Sequence, residues 1–132
     1  IRYLVSTSGK GANLLLNIGP QPNGEIPAAA LERLKGMGEW LRKYGDTIYG
    51  TTAGDIAAQD WGVTTRKGNR LFVHIFELKE KSLHLPLKCT VESAKLFDDN
   101  APVKFVQNAK GVTLTFDKVP SGTDCIVELK TK

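Results

Sequence analysis

GKGANLLLNIGPQPNGEIP, residues 9–27, is the stretch on which the fold turns. Leu14, Leu15, Leu16 and Ile18 are apolar whichever face they point to. That pattern predicts a strand buried on both sides, as in a parallel sheet covered by helices. Asn13 and Asn17 fall on one side of it with Leu15 between them, and a buried strand carries amides only if they have partners. Pro20 ends the run. Pro22-Asn23-Gly24 is turn chemistry, and Pro27 suits the first turn of a helix, where a missing N–H costs nothing.

Working outward, IRYLVSTS (1–8) reads as the tail of a helix closed by Gly9-Lys10-Gly11. Residues 27–45 read as a second helix, with Leu31, Leu34, Met37, Gly38 and Leu41 on one stripe. Gly38 on that stripe predicts close packing against a sheet, and Gly45 ends the helix. A helix, a doubly buried strand and a helix cannot cover their own apolar faces. The strand needs parallel neighbours that the later residues do not supply. The opening at Ile1, without Met or a signal-peptide pattern, fits an interior segment of a larger protein.

Beyond Thr52 the texture changes. Gly54–Asp60 reads as a loop. Period-2 segments then recur at 61–66, 70–78, 82–87, 89–97, 102–108, 111–117 and 124–130, separated by turns such as Lys67-Gly68-Asn69 and Pro120-Ser121-Gly122. This spacing predicts an antiparallel sandwich or barrel. The boundary falls near 50–58, giving units 1–52 and 53–132.

Bulk properties exclude several classes. The 132 residues are 41% hydrophobic and 24% charged, with a net charge of +4. The basic residues are interleaved with acids, as in Glu77–Lys81, and not gathered on one face, which argues against a nucleic-acid partner. No apolar run reaches membrane-span length. Cys89 and Cys125 lack metal-ligand spacing; both sit in apolar alternations and read as buried thiols, with a disulfide between them the other possibility. No cofactor motif is present; Gly9-Lys10-Gly11 precedes a strand, unlike a phosphate loop.

NLLLNIGPQPNGEIP followed by LERLKGMGEWLRKYGDTIYGT closely resembles the end of the catalytic barrel in α-L-fucosidases of glycoside hydrolase family 29. The Gly38-Glu39-Trp40-Leu41 element and the run Tyr44–Gly50 fit its pattern, with Tyr44 and Asp46 standing where the family has Asn and Glu. TTRKGNRLFVHIFE (64–77) adds to the likeness. The resemblance implies an α+β fragment: the last strand and helix of a (β/α)8-type barrel at 1–52, then an all-β antiparallel sandwich at 53–132. It implies retaining hydrolysis of terminal α-L-fucose from glycans, a secreted, periplasmic or lysosomal enzyme, and the upstream part of the same protein as partner.

Barrel active sites lie at the carboxyl ends of the strands, so the resemblance makes Asn17, and behind it Asn13, candidates for contact with sugar hydroxyls or a catalytic side chain. Retention needs two carboxyl groups about 5 Å apart. Glu25, Glu32, Glu39, Asp98 and Asp99 form no such pair, so both catalytic acids are expected upstream of Ile1. His74 and His84 read as packed or rim histidines. Trp40 is expected at the domain interface and Trp61 in the sandwich core. The alternative is a non-catalytic carbohydrate-binding sandwich, against which the Phe-rich, Tyr-poor composition of residues 53–132 speaks.

Overall fold

The computed structural model describes residues 1–132. Two helices, α1 (Arg2–Gly9) and α2 (Ala28–Tyr44), precede eight strands: β1 (Thr52–Ala53), β2 (Gly62–Lys67), β3 (Arg70–Ile75), β4 (Ser82–Leu85), β5 (Val91–Leu96), β6 (Lys104–Asn108), β7 (Gly111–Thr115) and β8 (Cys125–Thr131). A 3₁₀ turn, Gly45–Thr47, follows α2 directly. All pairings are antiparallel: a five-stranded sheet in the order β1-β2-β3-β8-β5 and a three-stranded sheet in the order β4-β7-β6.

Alternation sorts the side chains. Leu71, Val73 and Ile75 of β3 and Val127 and Leu129 of β8 meet Leu83, Leu85, Val112 and Leu114 of the smaller sheet in one core. The opposite face of the larger sheet carries Val63, Phe72 and Ile126 under Val5 of α1 and Trp40 of α2. β3 is therefore buried on both faces, because helices close the side that a half-exposed sheet would leave to water. Trp40 lies at the junction of helix and sheet, its ring tilted against that of Tyr44 with centroids 5.1 Å apart. Trp61 is half-buried against the core between the sheets.

Polar clips fasten the helices. Arg2 donates to the carbonyls of Phe76, Gly122 and Thr123. Tyr44 donates its hydroxyl to Asp98, which also pairs with Lys43 at 2.9 Å. Arg70 grips Glu128 through two N–H bonds and reaches Asp46 at 2.7 Å. Lys67 meets the same Asp46 at 2.7 Å.

The seven strand-like segments each contain one strand: β2 and β8 are shifted by one residue at unchanged length, and the other five are shorter than the alternation suggested; β1, a two-residue rung, is additional. Three expectations need correction. Residues 12–19 form no strand, and no backbone hydrogen bond involves residues 13–20. A strand exists only by pairing, and this segment pairs with neither sheet. The expected stripe of α2 is not a buried face: Leu31 is 51% exposed, Leu34, Met37 and Leu41 are half-buried, and open space surrounds Gly38. Only the last turns of the helix reach a sheet. Finally, Cys89 and Cys125 are both free thiols and only half-buried; burial still pushes the Cys125 thiol up to about 11.

Candidate functional site

Asn13 and Asn17 lie on the unpaired segment, and both are exposed. Asn13 lines an open cavity of about 650 Å³ between the end of α1 and residues 48–53, with Leu4, Ser8, Leu14, Ile48 and Tyr49 among its walls. Asn17 faces a smaller space of about 190 Å³ beside Leu16, Ile18, Arg33 and Leu34 of α2. The two amides are thus in different cavities, and neither makes a side-chain hydrogen bond within the chain. Each is free to bind something outside it.

Around them lies exposed apolar surface. Leu15 is 93% exposed, and Leu16, Ile26, Leu31, Tyr3 and Tyr49 also face solvent. Six of the eight exposed large hydrophobic side chains fall within residues 1–52; the other two are Val106 and Val119. Concentrated apolar exposure of this kind marks a surface built for contact.

A second constellation, not anticipated from the sequence, lies beneath the helices. Thr65 Oγ1 donates to the Thr47 carbonyl at 2.7 Å and stands 3.1 Å from His74 Nε2. His74 Nδ1 stands 2.7 Å from Asp124 Oδ2. Hydroxyl, imidazole and carboxylate in that order have the connectivity of a nucleophilic triad. The site cannot act as one. The His74 and Asp124 side chains and Thr65 have no solvent exposure, and the Thr65 hydroxyl proton is committed to a backbone carbonyl. No sequence signal could find this group, because 50 residues separate His74 from Asp124.

Acidic side chains elsewhere serve the clips. Hydrogen bonds from Lys67, then Arg70, hold the Asp46 carboxyl below the usual range. The Tyr44 hydroxyl, then Lys43, does the same for Asp98. Glu25 and Glu32 are exposed and make no salt bridge. No group of three His, Cys, Asp or Glu residues is placed to hold a metal ion, and no helix is long and apolar enough to cross a membrane.

Residues 1–46 match the family model described as α-L-fucosidase. Plasma α-L-fucosidase of Rattus norvegicus is 39% identical over 80 residues, which are 58% of this chain and 17% of that protein. The solved structure of α-L-fucosidase isoenzyme 1 from Paenibacillus thiaminolyticus matches 99% of this chain and 33% of its own, with a TM-score of 0.86 and 32% identity. The chain resembles the C-terminal part of glycoside hydrolase family 29 α-L-fucosidases. The Thermotoga maritima α-fucosidase, solved in complex with fucose, is similar over 95% of this chain and 32% of its own, at a TM-score of 0.77 and 34% identity. The chain thus spans well under half the length of the α-L-fucosidases it matches. Likeness to them runs through α1, α2 and both sheets, since the structural matches cover nearly all of the chain.

Proposed function

We propose that this chain is the C-terminal portion of a retaining α-L-fucosidase, in which residues 1–52 complete a (β/α)8-type catalytic barrel and residues 53–132 form a β-sandwich that stabilises it. One observation carries the reading: the Leu14–Ile18 run is unpaired, with Leu15 93% exposed, although its composition is that of a doubly buried strand. Partner strands from the rest of a barrel would take both its edges and both its faces. The family match over residues 1–46 supports the same reading.

In the assembled enzyme Asn17 lies toward the carboxyl end of the last strand, at the catalytic mouth, and Asn13 lies deeper in the same strand. The two carboxylates of the retaining mechanism come from outside this chain, one attacking the anomeric carbon and the other protonating the leaving oxygen. The substrates are glycans with terminal α-L-fucose, and the compartment is secreted, periplasmic or lysosomal. The names of the plasma and tissue fucosidases among the relatives support the first and last of these.

The test has two arms. The isolated 132-residue chain is expected to release no nitrophenol from a nitrophenyl α-L-fucoside; turnover comparable to that of an intact fucosidase sinks the assignment. In the full-length protein, Asn17→Ala is expected to lower kcat/KM by roughly ten- to a hundredfold, the effect of losing one or two hydrogen bonds in a dry site. Tight fucose binding by the isolated chain would instead favour a carbohydrate-binding module.

A further inference from the structure

The hydrogen-bond chain Thr47–Thr65–His74–Asp124 fixes where its protons must be. The Thr47 carbonyl can only accept, so the single hydroxyl proton of Thr65 goes to it. The Thr65 oxygen then has only lone pairs to offer His74, and Nε2 at 3.1 Å must carry a hydrogen. The other nitrogen, Nδ1, stands 2.7 Å from Asp124 Oδ2, a separation that requires a proton between them. Two bare acceptors at that distance, with both side chains fully buried, would repel without water to relieve them.

We propose that His74 and Asp124 form a buried dyad holding two protons, one on Nε2 and one shared between Nδ1 and the carboxyl, and that this dyad latches the turn after α2 onto the five-stranded sheet. Its anchor is the Thr47 carbonyl, in the 3₁₀ turn, gripped through the Thr65 hydroxyl on β2. The dyad joins β3 to the loop before β8, so one chain of bonds ties four segments together. The dyad as a unit is neutral, which is what full burial demands.

The charged and titratable groups near the dyad leave the shared proton in place. Arg2 of α1 is bound to the carbonyls of Gly122 and Thr123, just before Asp124. Tyr44 of α2, Asp98 of the turn after β5, and Cys125 line a small cavity with Asp124. Asp46, in the 3₁₀ turn, is engaged by Lys67 and Arg70. None of these donates a hydrogen to the dyad, so no other group substitutes for its proton. The remaining Asp124 oxygen, Oδ1, has no protein partner.

The latch is independent of the fucosidase assignment and is tested on this chain directly. Long-range ¹⁵N–¹H NMR of the folded protein, with exposed His84 as internal reference, reads both imidazoles. His74 is expected to show Nε2 bearing a hydrogen, together with a low-field proton resonance assigned to the bond with Asp124. A His74 signal with Nε2 bare overturns the proposal. Asp124→Asn, which can donate its amide N–H to Nδ1, should keep the Nε2 hydrogen and the fold but lose the low-field resonance.

His74→Phe removes the link to Thr65. Amide exchange at Ile48 and Tyr49, both bonded to the Gly45 carbonyl, is then expected to accelerate on the order of ten- to a hundredfold relative to β7, the effect of leaving buried polar groups unpartnered. Thr65→Val, which preserves volume, should act in the same direction. Unchanged exchange at those two amides in a folded Thr65→Val protein overturns the latch.

Discussion

Gly9 sits at the point where α1 touches the sheet. A methyl group there would stand 2.5 Å from Val63 Cβ, which is itself buried and part of the packed cluster beneath Val5 and Trp40. Val63 has no free direction in which to move, so Gly9→Ala must lift the helix or distort β2. A loss of about 1–3 kcal/mol is expected, read as a lower urea midpoint with unchanged slope; an unchanged midpoint would mean that α1 is free to shift. Asp46 gives a pH signature at the same scale. Its carboxyl titrates below the unfolded value, near 3.9, because Lys67 and Arg70 donate to it in the folded state. Its contribution is therefore fully present above that value and is lost as the pH falls through the folded one. At 45% side-chain exposure the effect is modest, below about 1 kcal/mol. Urea midpoints measured from about pH 5 down to about pH 2.5 should fall less steeply in Asp46→Asn than in the parent. An equal slope would show that Lys67 and Arg70 do not act through this carboxylate.

Helix α2 divides into two halves with different work. Trp40 is buried between helix and sheet, while Leu31 is half in solvent. Trp40→Ala opens a cavity against Val5, Val63 and Phe72 and is expected to cost about 3–5 kcal/mol, measured by thermal or urea unfolding. Leu31→Ser should stay within about 0.5 kcal/mol in the isolated chain. The same contrast marks what could be read from the sequence. Strands β2–β8 were legible because alternation between faces is a local pattern and the turns between them carry Gly, Asn and Pro. The helices were legible by period and by their flanking Gly and Pro. The Leu14–Ile18 strand and the buried stripe of α2 were not realised, because no strand of this chain pairs with the first and nothing packs on the second at Gly38; a local pattern does not say whether a partner surface lies within reach. The His74–Asp124 pair was illegible for another reason: only the β3–β8 register, His74 opposite Ile126, brings the loop before β8 to the histidine. As for the candidate site, Asn13 and Asn17 could be named from pattern and resemblance, whereas the exposed apolar surface around them became visible only in three dimensions.

At the scale of the whole molecule, stability is unevenly distributed, and that asymmetry can be measured. The two sheets, the loop residues flanking them and the covering ends of α1 and α2 hold all the buried apolar side chains, from Val5 through Leu129. Residues 13–20 hold none and have no backbone hydrogen bonds to open. Local opening there needs almost no free energy, and proteolysis follows the population of open states. Chymotrypsin at low dose is therefore expected to cut the isolated chain first at Leu14, Leu15 or Leu16, ahead of any site in β2–β8. α1 should remain bound after that cut, since Val5 is fully buried and Arg2 is fastened to three carbonyls of the sheet region. Mass spectrometry under denaturing conditions would show two fragments, and size exclusion under native conditions would show one species. If the Leu14–Ile18 run is a barrel strand in the full-length protein, the same dose should leave it uncut there, because paired edges and covered faces remove the open state. Equal cutting in both proteins would mean that this segment is a surface loop in the intact enzyme too, and the barrel assignment of residues 1–52 would fail while the two sheets stood.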